Sequence, residues 1–251
     1  MTRTQGTIRL GVSGATGRTG RLVMAIALED RRVAPIALRR STAESRRRIG
    51  TSHLDVIVDV STEEGCRSAI ELAGESGVPL VIGTTGLGSE TLGNARALAT
   101  RVPVLIAPNL SRGALLMRRL AAIAARLAPA DWTFDLVETH RAGKRDAPSG
   151  TALAIDAESV DSNGASRLEG RIASIRTGDV VGEHRLRIVA DGEELLLEHR
   201  ALDRTVFARG AIEAAVWIVD RPAGLHRFDS WLDSRLDSPG SADQDSGDAE
   251  A

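Results

Sequence analysis

The residues best suited to chemistry lie in one short stretch, HRAGKRDAPSGTA, which runs from His140 to Ala152. Of the 32 basic residues in the chain, 31 are arginine and one, Lys144, is lysine. Lysine is a compact charge that can release a proton in a crowded site, whereas arginine keeps its charge in a fixed planar fork. A lysine four residues after a histidine therefore predicts a proton transfer, or a contact too close for a guanidinium.

The same stretch predicts a binding site for a small anion. Pro148 interrupts regular structure, and Ser149 is a suitable N-cap for a helix. Gly150 and Thr151 would then present backbone N–H groups at a helix start, where anions bind. The preceding loop supplies one imidazole and three cations, namely His140, Arg141, Lys144 and Arg145. We expect a pocket for a multiply anionic molecule, with His140 as its proton-transfer group.

A glycine-rich loop, GVSGATGRTGRL, predicts a dinucleotide site near the N-terminus. Gly14, Gly17 and Gly20 are spaced three apart, after an apolar run and before a helical pattern. Glycines there allow a sharp turn and close approach of a pyrophosphate, and the helix start offers N–H donors. The predicted cofactor contacts are Gly14, Ala15, Thr16, Gly17, Arg18 and Thr19. A tight strand-to-helix turn without a ligand is the simpler alternative.

The residues after the second predicted strand favour NADPH over NADH. NAD sites place an acid at the end of that strand, whereas NADP sites place an arginine there for the 2′-phosphate. Residues 36–43 contain no acid, and Arg39 and Arg40 occupy the position. Two exposed arginines in an arginine-rich chain are the competing explanation, and NADH remains the alternative cofactor.

Alternating strands and helices must position these residues. Apolar runs at 8–12, 33–38, 54–60, 80–82 and 102–106 predict strands, and amphipathic stretches at 21–28, 64–75 and 89–99 predict helices. This alternation predicts an N-terminal Rossmann-type parallel sheet covered on both faces. A strong helix at 112–128, capped by Ser111, is followed by strands at 132–138, 171–176, 185–190 and 194–199. They predict an α+β second domain with a mixed four-stranded sheet.

The chain is therefore expected to be an α/β protein of two domains. Residues 1–110, completed by residues 208–231, form the predicted dinucleotide-binding domain, and residues 111–207 form the substrate-binding domain. Residues 232–251 are rich in Ser, Asp, Gly and Ala, which predicts disorder.

Composition and charge exclude several classes of function. The net charge of −2 is not the positive charge that is typical of nucleic-acid-binding proteins, and no stretch is apolar enough for a membrane span. A single cysteine, Cys66, cannot form an intramolecular disulfide, which favours a cytoplasmic location. No Cys, His or Asp cluster has metal-ligand spacing, so we expect no metal.

The glycine loop alone leaves several functions open. A chain without tyrosine cannot use the Tyr-x-x-x-Lys chemistry of short-chain dehydrogenases. A non-catalytic NADP-binding regulator and an aspartate-type amino-acid dehydrogenase remain alternatives at this point. The segment around Lys144 must distinguish them.

With these residues identified, the sequence resembles the 4-hydroxy-tetrahydrodipicolinate reductases, also called dihydrodipicolinate reductases. Their signature, E-x-H-H-x-x-K-x-D-A-P-S-G-T-A, is matched by Glu138, His140, Lys144, Asp146, Ala147, Pro148, Ser149, Gly150, Thr151 and Ala152. The stretches GATGRTG, VPLVIGTTGL, APNLS, RTGDVVGEHRL and FARGAIEAAVWI occur in the family's order. The resemblance covers about residues 7–231.

The resemblance implies an activity and roles for individual residues. It implies hydride transfer from NAD(P)H that reduces 4-hydroxy-tetrahydrodipicolinate in lysine and diaminopimelate biosynthesis. His140 would be the proton donor and Lys144 its partner. The nicotinamide would be positioned by Gly83, Thr84, Thr85, Ala107, Pro108, Asn109 and Leu110, and the small dicarboxylate substrate would be held by Arg141, Ser149, Gly150 and Thr151.

Two further implications concern a departure from the family and the assembly. Arg141 stands where the family usually has a second histidine, and arginine can hold a carboxylate bidentately. The family is typically tetrameric through the sheets of its second domain. The resemblance therefore implies a homotetramer, with residues 111–207 also serving oligomerisation.

Overall fold

The first sheet consists of six short, parallel strands. The computed structural model describes residues 6–38 and 54–236. The strands of this sheet are β1 (Ile8–Ser13), β2 (Val33–Leu38), β3 (Val56–Asp59), β4 (Leu80–Ile82), β5 (Pro103–Ile106) and β10 (Gly224–His226). They lie in the order β10-β5-β4-β3-β1-β2, and every pairing is parallel. Burial on both faces explains why these strands are almost continuously apolar.

Helices cover both faces of this sheet. The helices of the described residues are α1 (Arg18–Glu29), α2 (Glu63–Ser76), α3 (Ser89–Leu98), α4 (Arg112–Leu127), α5 (Gly150–Glu158), α6 (Thr205–Ile218) and α7 (Phe228–Leu236). On one face, Val23 of α1 and Ile212 of α6 share a core with Val12. On the other, Ala69 of α2 and Leu98 of α3 pack with Ile57. The predicted Rossmann-type architecture is thereby confirmed.

The second sheet is mixed and has four strands. It contains β6 (Thr133–His140), β7 (Ile172–Arg176), β8 (Gly182–Ala190) and β9 (Glu193–Ala201), in the order β7-β6-β8-β9. β6 and β7 are parallel, and the other two pairings are antiparallel. Met117 of α4 and Ile155 of α5 pack with Phe134, Leu136 and Ile188 on one face. The predicted mixed sheet is confirmed, with its hairpin turning at Gly192, where φ is +82°.

The C-terminal part differs from the sequence-based expectation in three places. α6 begins at Thr205, before the predicted boundary at 208, and β10 adds an unpredicted edge strand beside β5. α7 extends into the segment predicted to be disordered, because buried Phe228 and Trp231 stack at 5.2 Å and anchor it. Residues 237–251 lie outside the described part of the chain, as do Arg39 and Arg40. Across 6–38 and 54–236, no helix is both long and apolar enough to span a bilayer.

Candidate functional site

The glycine loop, residues 14–20, is a turn that requires its glycines. Gly14 has φ of +80°, and a Cβ there would lie 2.7 Å from the Val60 carbonyl oxygen. A Cβ on Gly20 would lie 2.0 Å from the Gly14 carbonyl oxygen. Ala15 and Thr16 form the turn, Gly17 is the N-cap of α1, and Arg18 and Thr19 begin the helix. No side chain caps this helix start, which suits it to an anionic ligand.

The predicted nicotinamide segment after β4 is fixed by a buried carboxylate. Asp59, at the end of β3, is fully buried; its carbonyl accepts from Gly83 N at 2.8 Å. The Thr84 hydroxyl donates to Asp59 Oδ2 at 2.6 Å and accepts from Ser61 N at 2.8 Å. Gly83, Thr84 and Thr85 therefore lie at the carboxyl ends of the parallel strands, where such sheets bind ligands. Asp59 was not among the predicted site residues, although a polar residue at the end of an apolar run is a local signal for such a role.

The second predicted nicotinamide segment, Ala107–Pro108–Asn109–Leu110, joins the two domains. Ala107 N donates to Ile82 O at 2.9 Å, which places the segment beside β4. Asn109 Oδ1 accepts from Ser111 N at 2.8 Å, and Asn109 Nδ2 donates to Thr151 Oγ1 at 2.9 Å. One side chain thus connects the segment after β5 to the start of α5 in the second domain. The structure brings these two predicted sites together.

The start of α5 has the predicted capping arrangement. The buried Ser149 hydroxyl accepts from Ala152 N at 3.2 Å, as an N-cap should. Gly150 is exposed, and a Cβ added to it would meet no atom within 4 Å. The turn therefore leaves open space at its first helical residue.

A carboxylate of the chain itself lies beside this turn. Lys144 Nζ donates to Asp146 Oδ2 at 2.7 Å. That hydrogen bond is the largest of the effects that lower the pKa of Asp146, and the backbone N–H of Gly150 adds to it. Asp146 is exposed, with 57% of its side chain accessible, whereas only 20% of Lys144 is accessible. The lysine and the helix start can therefore share a carboxylate.

His140 is the last residue of β6, and the prediction that it belongs to the following loop is wrong. Its place on the strand follows from the pairing of His140 with Arg176 of β7. His140 is 9% exposed, and its Nδ1 contacts Glu138 Oε2. Burial lowers the pKa of His140, the Glu138 hydrogen bond opposes this, and the charges of Lys144 and Arg176 lower it further.

Two residues without a predicted role, Glu138 and Arg176, lie beside His140: Glu138 contacts the histidine, and Arg176 contacts Glu138. Glu138 is fully buried, and its Oε1 accepts from Arg176 Nη2 at 2.6 Å. Burial alone would raise the pKa of Glu138, but hydrogen bonds from Arg176, Ser174 and His140 outweigh it and lower the pKa to about 2. Glu138 is therefore ionised at neutral pH. Its spacing of two from His140 on a strand was a signal for their contact, but no local pattern indicated Arg176.

Arg204, which precedes α6, is another residue of this region without a predicted role. Its side chain is half-buried, and burial lowers its pKa, as do the nearby like charges of Arg18 and Arg141. These cations come from the glycine loop, from the lysine loop (residues 141–148) and from the entry to α6. Their proximity favours an anionic molecule between the two domains.

A second histidine lies behind His140. His184 of β8 is 2% exposed, and its ring centroid is 5.3 Å from that of His140. Burial, with the charges of His140 and His199, lowers the pKa of His184 to about 3, so it stays neutral at neutral pH. Within residues 6–38 and 54–236, no three His, Cys, Asp or Glu side chains are grouped to hold a metal.

The fold and the site define a class of protein. A parallel sheet with a glycine-rich loop meets, at its carboxyl edge, a cluster of cations and the imidazole of His140, which ends a strand of the mixed sheet. This is the arrangement of a two-domain, nicotinamide-dependent oxidoreductase.

Comparison with known proteins identifies the family. The profile described as Dihydrodipicolinate reductase, N-terminus, matches residues 8–110, and the one described as Dihydrodipicolinate reductase, C-terminus, matches residues 113–232. The chain belongs to the dihydrodipicolinate reductase family.

Individual relatives agree with this assignment. The 4-hydroxy-tetrahydrodipicolinate reductase of Gluconobacter oxydans (strain 621H) is 38% identical over 239 residues, covering 87% of this chain and 94% of that protein. The enzyme of the same name from Xanthomonas euvesicatoria pv. vesicatoria (strain 85-10) is 34% identical over 236 residues, covering 89% and 97%. The dipicolinate-bound dihydrodipicolinate reductase from Paenisporosarcina sp. TG-14 has the same fold. Its TM-score is 0.71 at 23% identity, covering 88% of this chain and 98% of that one.

Proposed function

We propose that this chain reduces 4-hydroxy-tetrahydrodipicolinate to tetrahydrodipicolinate in lysine and diaminopimelate biosynthesis. The reaction takes up one hydride from NAD(P)H and one proton, and it releases one water. Family membership supports the activity. The observation that carries the proposal within the structure is the Asn109–Thr151 hydrogen bond, which joins the nucleotide-binding edge to the cationic pocket.

The residues at the carboxyl edge of the first sheet fit a nicotinamide dinucleotide. The glycine loop has no side chain where a pyrophosphate would approach, and the α1 start has no side-chain cap. We assign Gly14–Thr19 to the pyrophosphate, and Gly83–Thr85 with Ala107–Leu110 to the nicotinamide. When bound, this cofactor supplies the hydride.

The pocket on the second domain fits a small dicarboxylate. Asp146 shows how a carboxylate can lie against Lys144 and Gly150, and it is exposed enough to be displaced. We propose that a substrate carboxylate takes this place and that Arg141 attracts the other. Ser149 fixes the helix start, and the Thr151 hydroxyl, which accepts from Asn109, keeps its own proton for donation.

His140 is assigned as the proton donor. Addition of a hydride to a C=N or C=C bond leaves negative charge, which a positioned acid neutralises. His140 lies at the strand end from which the lysine loop begins, and burial keeps its pKa below the usual range in the ligand-free protein. The negative charge of a bound dicarboxylate would raise that pKa and so favour the protonated ring.

A glycine-to-alanine exchange tests the assignment of the α5 start. Gly150→Ala adds a methyl group that meets no protein atom within 4 Å, so we expect an unchanged or slightly higher Tm. The same methyl group would occupy the space of the substrate carboxylate, and we expect KM to rise about 10- to 100-fold. Gly93→Ala, another exposed helical glycine with nothing within 4 Å, serves as the control and should leave KM unchanged. Equal KM values for both variants would contradict the assignment.

We propose NADPH as the preferred cofactor on sequence grounds, through Arg39 and Arg40. Arg39→Glu should reverse the charge that faces a 2′-phosphate and raise the ratio of kcat/KM for NADH over NADPH by at least about tenfold. The measurement is initial rates with each cofactor. Arg96→Glu, a charge reversal on exposed α3, is the control and should leave the ratio unchanged. An unmoved ratio in Arg39→Glu would remove the basis for the preference.

We propose that the enzyme is a cytoplasmic homotetramer. The face of the second sheet that α4 and α5 leave uncovered carries Val137, Ile175, Val189 and Leu196, of which Ile175 and Leu196 are 46% and 43% exposed. Contact between these faces would bury apolar side chains. Light scattering should give about four chain masses for the native chain and a smaller assembly for Leu196→Glu. A monomeric native chain would contradict this proposal.

A direct assay separates the proposed activity from its alternatives. Purified protein is mixed with freshly generated product of dihydrodipicolinate synthase, and oxidation of NADPH and NADH is followed separately. We expect substrate-dependent oxidation. An NADP-binding regulator would bind the cofactor without oxidising it, and an aspartate-type dehydrogenase would ignore this substrate and oxidise aspartate with NADP.

A further inference from the structure

A single buried carboxylate, that of Glu138, contacts the residues on both sides of the lysine loop. Glu138 and His140 are two residues apart on β6, so both side chains project from the same face of the strand. Glu138 Oε2 contacts His140 Nδ1, just before the loop. Glu138 Oε1 accepts from Ser149 N at 3.2 Å, just after the loop. The carboxylate therefore holds both ends of residues 141–148.

Arg176 extends this contact to the middle of the loop. The register of the second sheet places Arg176 of β7 opposite His140. Its Nη2 lies 2.6 Å from Glu138 Oε1 and donates to the Asp146 carbonyl at 2.6 Å. Asp146 in turn accepts from Lys144 Nζ. A chain of direct contacts thus leads from the Glu138 carboxylate to the ammonium group of Lys144.

The same carboxylate determines which nitrogen of His140 carries a proton in the neutral ring. An ionised carboxylate only accepts hydrogen bonds, so His140 Nδ1 must be the donor. Nε2 is then the nitrogen left to exchange a proton with a ligand. A Cβ at residue 182 would lie 3.0 Å from Nε2, so Gly182 keeps this side of the ring uncrowded.

We propose that Glu138 is a positioning residue for the reduction: its carboxylate fixes the orientation and tautomer of His140 and, through Arg176 and Ser149, sets the lysine loop against that ring. The inference rests on the proposed function for its catalytic consequence. Its effect on His140 itself can be measured without turnover. Burial of an unpaired carboxylate is costly, and the partners of Glu138 (His140, Arg176, Ser174 and the Ser149 N–H) offset that cost only while they hold this arrangement.

The test is Glu138→Gln, which keeps the shape of the side chain and removes its charge. Without the charge, the protonated ring of His140 is less stable, and we expect the NMR titration midpoint of His140 to fall by about one pH unit. The resonance is assigned by its loss in His140→Gln. We also expect kcat to fall roughly 10²-fold, and its decline with rising pH to begin at a correspondingly lower pH. Glu158→Gln is the control, because Glu158 is likewise paired with arginine, at 2.9 Å from Arg118 and 3.1 Å from Arg227. Removal of the Glu158 charge should change neither the His140 midpoint nor kcat.

Glu138→Asp provides a second variant if the glutamine protein does not fold. It retains the charge but withdraws it from Nδ1, and a smaller fall in the same midpoint is expected. An unmoved His140 midpoint in the folded variant, with or without a loss of kcat, would overturn the proposal, because a purely structural role would leave the ring's titration unchanged. The midpoint is read in the ligand-free protein. Absence of reductase activity in the native chain would therefore count against the proposed function and not against the effect of Glu138 on His140.

Discussion

Replacing His140 with glutamine is expected to lower kcat about 10³-fold while substrate and cofactor still bind. Glutamine is polar and similar in length, but it cannot donate a proton at neutral pH. His140 occupies the end of β6 with its ring held by Glu138, so the loss of the acid should appear in kcat and only weakly in KM. The measurement is steady-state kinetics with the cyclic substrate.

The control for this exchange is His226→Gln. His226 lies on the edge strand β10, where its Nε2 is 2.9 Å from the Pro222 carbonyl, away from the lysine loop. We expect native kinetics for that variant. Nearly equal kcat values for His140→Gln and the native protein would show that the proton comes from another donor.

Removal of the single lysine is the second large effect that we expect. Lys144→Ala should lower kcat/KM by about 10²- to 10³-fold, because a preorganised positive charge beside the reacting molecule is lost. The loss should be shared between KM and kcat, since the same ammonium group is proposed to hold a carboxylate and to face His140. Initial rates over a range of substrate concentrations separate the two contributions.

The exchange Lys144→Arg tests whether position 144 requires a lysine or only a positive charge. Its charge is preserved, but the planar guanidinium is larger and cannot replace the ammonium in a contact shared with Asp146 and Gly150. We expect less than a tenth of the native kcat/KM in this variant. Arg96→Ala, which removes an exposed charge on α3 outside the candidate site, is the control and should leave kcat/KM unchanged. Full activity in Lys144→Arg would reduce the role of the lysine to that of a general cation.

The parts of the fold that were predicted correctly are those that depend on local sequence patterns. The five strands that were predicted for the first sheet are all present, and their observed ends differ from the predicted ends by at most two residues. Strands that are buried on both faces are short apolar runs, which are readily recognised in a sequence. Ser111 and Ser149 cap their helices as predicted, since an N-cap depends on only four neighbouring residues. The Asp191–Gly192 hairpin is likewise a local signal.

Long-range pairing accounts for what the sequence did not predict. The three-residue strand β10 is too short to show a period, and it is fixed only by β5. The Glu138–Arg176 pair depends on the register of two strands that are separated by 38 positions in sequence. The Asn109–Thr151 bond depends on how two domains meet. Residue types therefore indicated the candidate catalytic side chains, but the partners of those side chains could be identified only from the tertiary structure.

A crystal structure of the chain with NADPH and dipicolinate, a dicarboxylate that the Paenisporosarcina relative binds, would show directly whether His140 and Lys144 face the nicotinamide. We expect dipicolinate between the nicotinamide ring and the second domain, with one carboxylate on Lys144 and the α5 start and with His140 Nε2 facing the ligand. A complex in which the His140 ring and the Lys144 ammonium point into bulk water, away from the nicotinamide, would contradict this expectation.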